Sequence, residues 1–215
     1  MWFWRLGAAP LMLLPMFPPP STPSRRLIHR RAIDVQIFAR DDQLYDVEAR
    51  LVDTKTQDMA LAGGVRPAGE PIHDMLLSLV VDAHLTILEA NSRTLGMPYP
   101  GTCDQHGDVY KKLVGLNLLH GFRLGVKDRV GGVKACTHLT ELCQILPTAV
   151  IQAFAGVVID TQEGRADGSA PFQIDRCHAL RRDGEIVQTH YPRWYRKSAE
   201  VATATEPLAT PASSF

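Results

Sequence analysis

The apolar periodicity of this chain changes once, near residue 100, and that change constrains its fold more than any other feature. Before it, apolar residues recur at every second position. Ile33, Val35 and Ile37 alternate with Asp34, Gln36 and Phe38, the pattern of a half-buried strand. Asp41-Asp42-Gln43 supplies a turn. Tyr45, Val47, Ala49 and Leu51 then alternate with Asp46, Glu48 and Arg50, and Asp53-Thr54-Lys55 ends the run. The two runs predict an antiparallel hairpin. After a loop through Gly63-Gly64 to Pro71, Met75, Leu77, Leu79 and Val81 share one face of a strand. Asp82-Ala83 turns the chain, and Leu85, Ile87 and Glu89 continue on its partner.

Beyond Pro98-Tyr99-Pro100-Gly101 the spacing becomes helical. Val109, Tyr110, Leu113 and Val114 suit one helix, and Phe122, Val126 and Val130 a second. Leu139, Leu142, Leu146, Val150 and Phe154 suit a third, with a kink or break expected at Pro147. The stretch from Asp160 to Ala170 reads as a loop. A last hairpin is expected from Phe172–Leu180 and Glu185–His190 across Arg182-Asp183-Gly184. Strands first and helices later predict an α+β fold: antiparallel hairpins forming a sheet packed by about three helices. The expected organisation is a Pro-rich leader over 1–24, a single domain over 25–197 and a disordered tail over 198–215.

Length and charge narrow the function classes. A chain of 215 residues, 45% hydrophobic, supports a sizeable core. Lys+Arg and Asp+Glu balance at 23 each, so bulk charge offers no attraction to nucleic acid or to an anionic membrane, and neither partner is expected. The basic run Arg25-Arg26-Leu27-Ile28-His29-Arg30-Arg31 lacks interleaved aromatics and reads as a solvated entry to the first strand. Four cysteines spread over a chain of this size predict reduced thiols. Met1 to Phe17 resembles a weak signal peptide. However, Pro10 and Pro15 interrupt it and no small-x-small cleavage site follows. A start at Met12 or Met16 and a cytoplasmic protein are expected instead.

The residues that carry chemistry concentrate at Gly131-Gly132-Val133-Lys134-Ala135-Cys136-Thr137-His138-Leu139. The glycines end one helix and the apolar stripe of the next begins at Leu139. A thiol at that junction meets unpaired backbone N–H groups at the positive end of a helix, a setting for metal ligation or thiol chemistry. Cys103, after Pro-Gly-Thr, occupies a similar loop-to-helix position. Cys103, Cys136 and His138 give three candidate metal ligands, with His73 or Cys177 as a fourth. Zinc or an iron–sulfur cluster is the candidate cofactor. No CxxC pair supports the set, and buried cysteines are also ordinary packing residues. Cys143, beside the apolar stripe, reads as packing. Cys177 and His178 are adjacent in an expected strand, so they point to opposite faces.

Arg66-Pro67-Ala68-Gly69-Glu70-Pro71-Ile72-His73-Asp74 gathers a guanidinium, two carboxylates and an imidazole. Glu70 or Asp74 is a candidate to orient His73 as a base, and Arg66 to bind a carboxylate or phosphate. The same residues also suit an ordered loop held by local hydrogen bonds. Tyr191-Pro192-Arg193-Trp194-Tyr195 suits stacking on a planar ligand or anchoring of the chain end. Phosphate-loop, dinucleotide and nucleophile-elbow motifs are missing from the sequence.

Several of these segments together resemble a bacterial family known only as a domain of unknown function. They are Arg40-Asp41-Asp42, Leu51-Val52-Asp53-Thr54-Lys55, Val65 to Met75, Tyr99-Pro100-Gly101-Thr102-Cys103 and Leu113-Val114-Gly115. Gly131-Gly132-Val133, Cys136 to Leu142, Asp175 to Leu180 and Tyr191 to Tyr195 complete the set. The resemblance spans about Arg25 to Lys197 and implies no activity. It implies a glycine where Gln43 stands, and Cys143 is peculiar to this chain. In layout alone, without a shared motif, the chain is similar to U-type iron–sulfur scaffold proteins. Three functions follow as expectations. The first is metal or cluster handling, or a metal-supported reaction. The second is cofactor-free acyl transfer with Cys136 as nucleophile and His138 or His73 as base. The third is a non-catalytic accessory role.

Overall fold

A computed structural model describes residues 24–105, 107–162 and 168–197. The expected leader, residue 24 aside, and the expected tail lie outside them. The fold is α+β. Strands β1 (His29–Ala39), β2 (Tyr45–Lys55), β5 (Pro71–Val81) and β6 (Ile87–Gly96) form an antiparallel sheet in the order β1-β2-β5-β6. Inside the expected loop between β2 and β5, β3 (Met59–Leu61) and β4 (Gly64–Arg66) make a small separate hairpin.

Period-2 alternation puts one face of the sheet under the helices. Val47, Ala49 and Leu51 of β2 lie opposite Leu79, Leu77 and Met75 of β5, and all six are buried. The other face, with Asp34, Gln36, Glu48 and Arg50, is open to solvent. There the Arg50 guanidinium forks onto Asp74 at 2.8 and 2.7 Å and covers that carboxylate.

Helix α1 (Phe122–Val130) buries Phe122, Val126 and Val130, and α2 (Thr137–Phe154) buries Leu139, Leu142, Cys143, Leu146, Val150 and Phe154. The expected stripes are those observed. Of the kink or break expected at Pro147, the break does not occur: α2 passes through it. An internal proline costs ~3 kcal/mol or more. Burying each large apolar side chain of the stripe contributes roughly 1.5–3 kcal/mol, so five of them outweigh it. Among the described residues, no helix is long and apolar enough to cross a membrane.

Three further expectations change. Val109 to Leu113 forms a 3₁₀ turn, Gly107–Leu113, rather than an α-helix, with Tyr110 and Leu113 fully buried. Leu85 is a turn residue at φ 67°, and β6 starts two residues later. The last hairpin does not form. Asp175 sits at φ 62°, its N–H donates to the Leu180 carbonyl and its side chain accepts from the Arg182 N–H, folding the segment into turns. Residues Glu185–His190 are a short helix, α3, seated by the buried Val187. Local side-chain bonding by an aspartate has displaced the strand.

Candidate functional site

The length of α2 places the site. Its last turn stacks on the start of β2, where the Phe154 and Tyr45 rings are 4.5 Å apart. From Phe154 back to His138 the helix covers ~24 Å at ~1.5 Å per residue. From Tyr45 to Asp53 the strand covers ~26 Å at ~3.3 Å per residue. The first turn of α2 therefore arrives over Asp53.

At that level the helix-facing surface of the sheet turns from apolar to titratable. Ile33, Leu51 and Met75 are one cross-strand row, and two residues along lie Arg31, Asp53 and His73, again neighbours in register. Asp53 is 2% exposed. Arg31 forks onto it, Nε to Oδ1 and Nη2 to Oδ2, both at 2.8 Å. His29 Nε2 reaches Oδ1 at 3.1 Å and His73 Nδ1 reaches Oδ2 at 3.0 Å. The Arg31 Nη1 continues to Glu141 on α2 at 2.5 Å.

His138 enters from above. Its ring lies 3.7 Å from that of His73, its Nε2 is 3.9 Å from Asp53 Oδ2, and its Nδ1 is 3.9 Å from the Cys136 sulfur. Cys136 is the N-cap residue of α2, and its sulfur also touches the Met75 sulfur at 3.5 Å. Tyr110 holds this end of the helix: its hydroxyl donates to the Cys136 carbonyl at 2.7 Å and lies 3.1 Å from the Thr140 hydroxyl. Burial pushes the Tyr110 phenol well above its ordinary range, so it stays a neutral donor.

The electrostatics assign protons. Burial acts to raise Asp53, but the Arg31 fork and charge, then His73, outweigh it and hold the carboxyl at about 2. An ionised carboxylate only accepts, so His73 carries its proton on Nδ1 and, when neutral, presents a lone pair at Nε2. Burial lowers His138, and His73 and Arg31 lower it further, against Asp53 and Glu141. A neutral imidazole is the form that binds metal or accepts a proton.

One ligand atom each from Asp53, His73 and His138 can be chosen so that all lie within 4.8 Å of one another. Of the residues singled out in the sequence, His73, His138 and Cys136 are therefore brought together. Cys103 lines a cavity shared with Cys136 rather than this cluster. Cys177 is exposed among the turns that follow Pro171. Cys143 is fully buried, and burial pushes its thiol up to about 12. Arg66 is spent on the Met97 carbonyl at 3.0 Å and on Glu70 at 3.6 Å, which fixes the loop. Asp74 faces Arg50 on the opposite side of the sheet. The carboxylate that orients His73 is Asp53, which the sequence reading treated as the end of a strand. At the far end of the chain, Arg193 stacks over Trp194 at 4.7 Å within a 3₁₀ turn.

A family model described as "Protein of unknown function (DUF2889)" matches residues 29–152, and the chain belongs to that family. The match contains Asp53, His73, Cys103, Cys136 and His138. The segments at Asp175–Leu180 and Tyr191–Tyr195 lie beyond it. Comparison with curated proteins and with solved structures found no match.

Proposed function

We propose that this protein holds a divalent metal ion between Asp53, His73 and His138, in the cytoplasm, and uses it as a structural or reactive centre. One observation carries the reading: three side chains, two imidazoles and a carboxylate of the types that hold zinc or non-haem iron, bring ligand atoms within 4.8 Å of one another. His138 Nε2 lies 3.9 Å from Asp53 Oδ2, near the ~3.4 Å between ligands of a tetrahedral zinc site, while the Asp53 contact to His73 Nδ1 leaves the Nε2 lone pair of His73 for the ion. The second carboxylate oxygen, held by Arg31 and His29, orients the group as outer partners of metal ligands do. With a single thiol at its border, the cluster favours zinc or mononuclear iron over an iron–sulfur cluster, which takes mostly thiolates. Metal analysis of anaerobically purified protein, followed by zinc titration against a chromogenic chelator, tests this. One ion per chain is expected, lost in His73→Ala and in His138→Ala and retained in Cys177→Ser. Metal-free protein that also fails to take up zinc or ferrous iron overturns it.

A second reading has its own support. Cys136, His138 and Asp53 form a row of thiol, imidazole and carboxylate with 3.9 Å at each step. In that row His138 Nδ1 accepts the thiol proton and Cys136 attacks an acyl carbon, with no metal required. Metal-free protein that releases thiol from a small thioester, and loses that activity on Cys136→Ser, selects it.

A further inference from the structure

Cys136 and Cys103 border one cavity of about 510 Å³ at the entrance to α2, walled by Thr102, Val109, Val133 and Ala135. Both thiols are free and half-buried, and the cavity they border is open to solvent. The other two cysteines differ. Cys143 is sealed in the core, and Cys177 is exposed among the later turns. The two cavity thiols also differ from each other. Cys136 is fixed at a helix N-cap, with its sulfur 3.9 Å from an imidazole nitrogen. Cys103 lies in a run of turns over 100–105 whose bonds are local: its N–H and that of Thr102 both donate to the Tyr99 carbonyl, and Gln105 donates back to Thr102. A thiol at a helix N-cap with an imidazole beside it shares a cavity with a thiol on a segment with no helix or strand to hold it.

We propose that Cys136 and Cys103 form a two-thiol site that reduces a small hydroperoxide. Cys136 sulfur attacks the outer peroxide oxygen. The O–O bond breaks, the thiol proton passes by way of His138 Nδ1 to the departing oxygen, and an alcohol or water leaves. Cys136 is then a sulfenic acid. Cys103 sulfur attacks the Cys136 sulfur, the S–OH bond breaks, and the Cys103 proton leaves with the hydroxyl as water. The two sulfurs are joined by a disulfide, and two electrons have passed to the peroxide. A small-molecule thiol or dithiol supplies the two electrons and two protons that return the pair to the reduced state. The lining, apolar at Val109, Val133 and Ala135 and polar at Gln105, Lys134 and Thr137, leaves room for a small hydroperoxide. The disulfide would tie the turns over 100–105 to the first turn of α2. The reaction does not draw on the metal reading, and it is tested on chelated protein.

The test uses the full chain with Cys177→Ser, which removes the exposed thiol from the count. One equivalent of hydrogen peroxide is added and peptides are mapped by mass spectrometry. The expected product is a single Cys103–Cys136 cross-linked peptide, reversed by dithiothreitol. Adding Cys103→Ser is expected to abolish the link and to raise the dimedone adduct at Cys136 roughly tenfold, with an unchanged far-ultraviolet circular dichroism spectrum. Adding His138→Gln is expected to slow peroxide consumption while leaving the linked product the same. No Cys103–Cys136 peptide, or equal dimedone labelling of Cys136 with and without Cys103, overturns the proposal.

Discussion

Asp53→Asn is the most informative single change, because it keeps shape and removes one charge from a group with four donors. Its carboxyl is held at about 2 against an ordinary 3.8. At ~1.36 kcal/mol per pH unit, the charged form contributes roughly 2 kcal/mol to folding at neutral pH. The substitution also strands the Arg31 guanidinium. Stranding a buried charge costs ~3–5 kcal/mol, but Arg31 is 32% exposed and keeps Glu141, so that extra cost is small. The expected loss is about 2–3 kcal/mol at pH 7, a large share of the ~5–15 kcal/mol that holds a domain folded. The sign of the pH dependence follows from the direction of the shift. A carboxyl lowered in the folded state contributes fully above its unfolded value of 3.8, and the contribution disappears as pH falls through about 2. Urea denaturation of chelated wild-type and Asp53→Asn proteins at several pH values reads it. The stability gap should be constant from pH 7 to ~5 and roughly halved at pH 3. A gap below ~0.5 kcal/mol at pH 7, or one as wide at pH 3 as at pH 7, refutes the claim that the charge of Asp53 organises this end of the sheet.

Other changes probe the surroundings by thermal or chemical denaturation. Gln43 occupies the left-handed region at φ 65°, so Gln43→Gly should raise stability by ~1 kcal/mol, and no gain would mean that its side chain contributes as much as the strain costs. Tyr110→Phe loses the hydroxyl that bonds the Cys136 carbonyl and Thr140; ~1–2 kcal/mol should go, and an unchanged melt would show the bond to be dispensable. Gly131 has an ordinary φ of −78°, yet a Cβ there would collide with the Lys127 carbonyl oxygen, so Gly131→Ala should lower the melting temperature by loosening the end of α1. For His138, burial first, then His73 and Arg31, lowers the pKa below the ordinary 6.5. Its share of stability is therefore full above 6.5 and falls as pH drops below that value, and His138→Gln should flatten stability between pH 7 and 5 in chelated protein.

The sheet was legible because alternation is a strong signal wherever one face is buried. The rows Val47–Leu79, Ala49–Leu77 and Leu51–Met75 are pairs of apolar positions that could be read before any register was known. The stripe of α2 was equally plain, and the helix continues through Pro147 because burial along the stripe outweighs the local penalty. The last expected hairpin failed for the opposite reason. Its apolar residues carried no strict alternation, and Asp175 had a competing use for its backbone and side chain.

The site was half legible, and the missing half has an identifiable signature. His73, Cys136 and His138 stood out by residue type. Asp53 and Arg31 did not, because charged residues at strand ends usually belong to solvent. Their meaning lies in phase. Asp53 continues the inward positions Val47, Ala49 and Leu51, Arg31 continues Ile33, Val35 and Ile37, and His73 continues Met75, Leu77, Leu79 and Val81. Each of three neighbouring strands thus places an ionisable residue on its buried face, at the same level and at the same end of the sheet. A single such residue would be a strand end reaching for water. Three in register, with the carboxylate 2% exposed, form a polar row that must be satisfied from within. Part of that satisfaction comes from the helix above, through Glu141 to Arg31 and His138 beside His73. Because α2 from Phe154 back to His138 runs about as far as β2 from Tyr45 to Asp53, the apolar stripe that seats its last turn on Tyr45 also delivers its first turn, with Cys136 and His138, to that row. Shortening α2 by one turn between Leu142 and Val150 would withdraw His138 by ~5.4 Å while leaving the strand row intact. It would therefore abolish any chemistry that needs both layers.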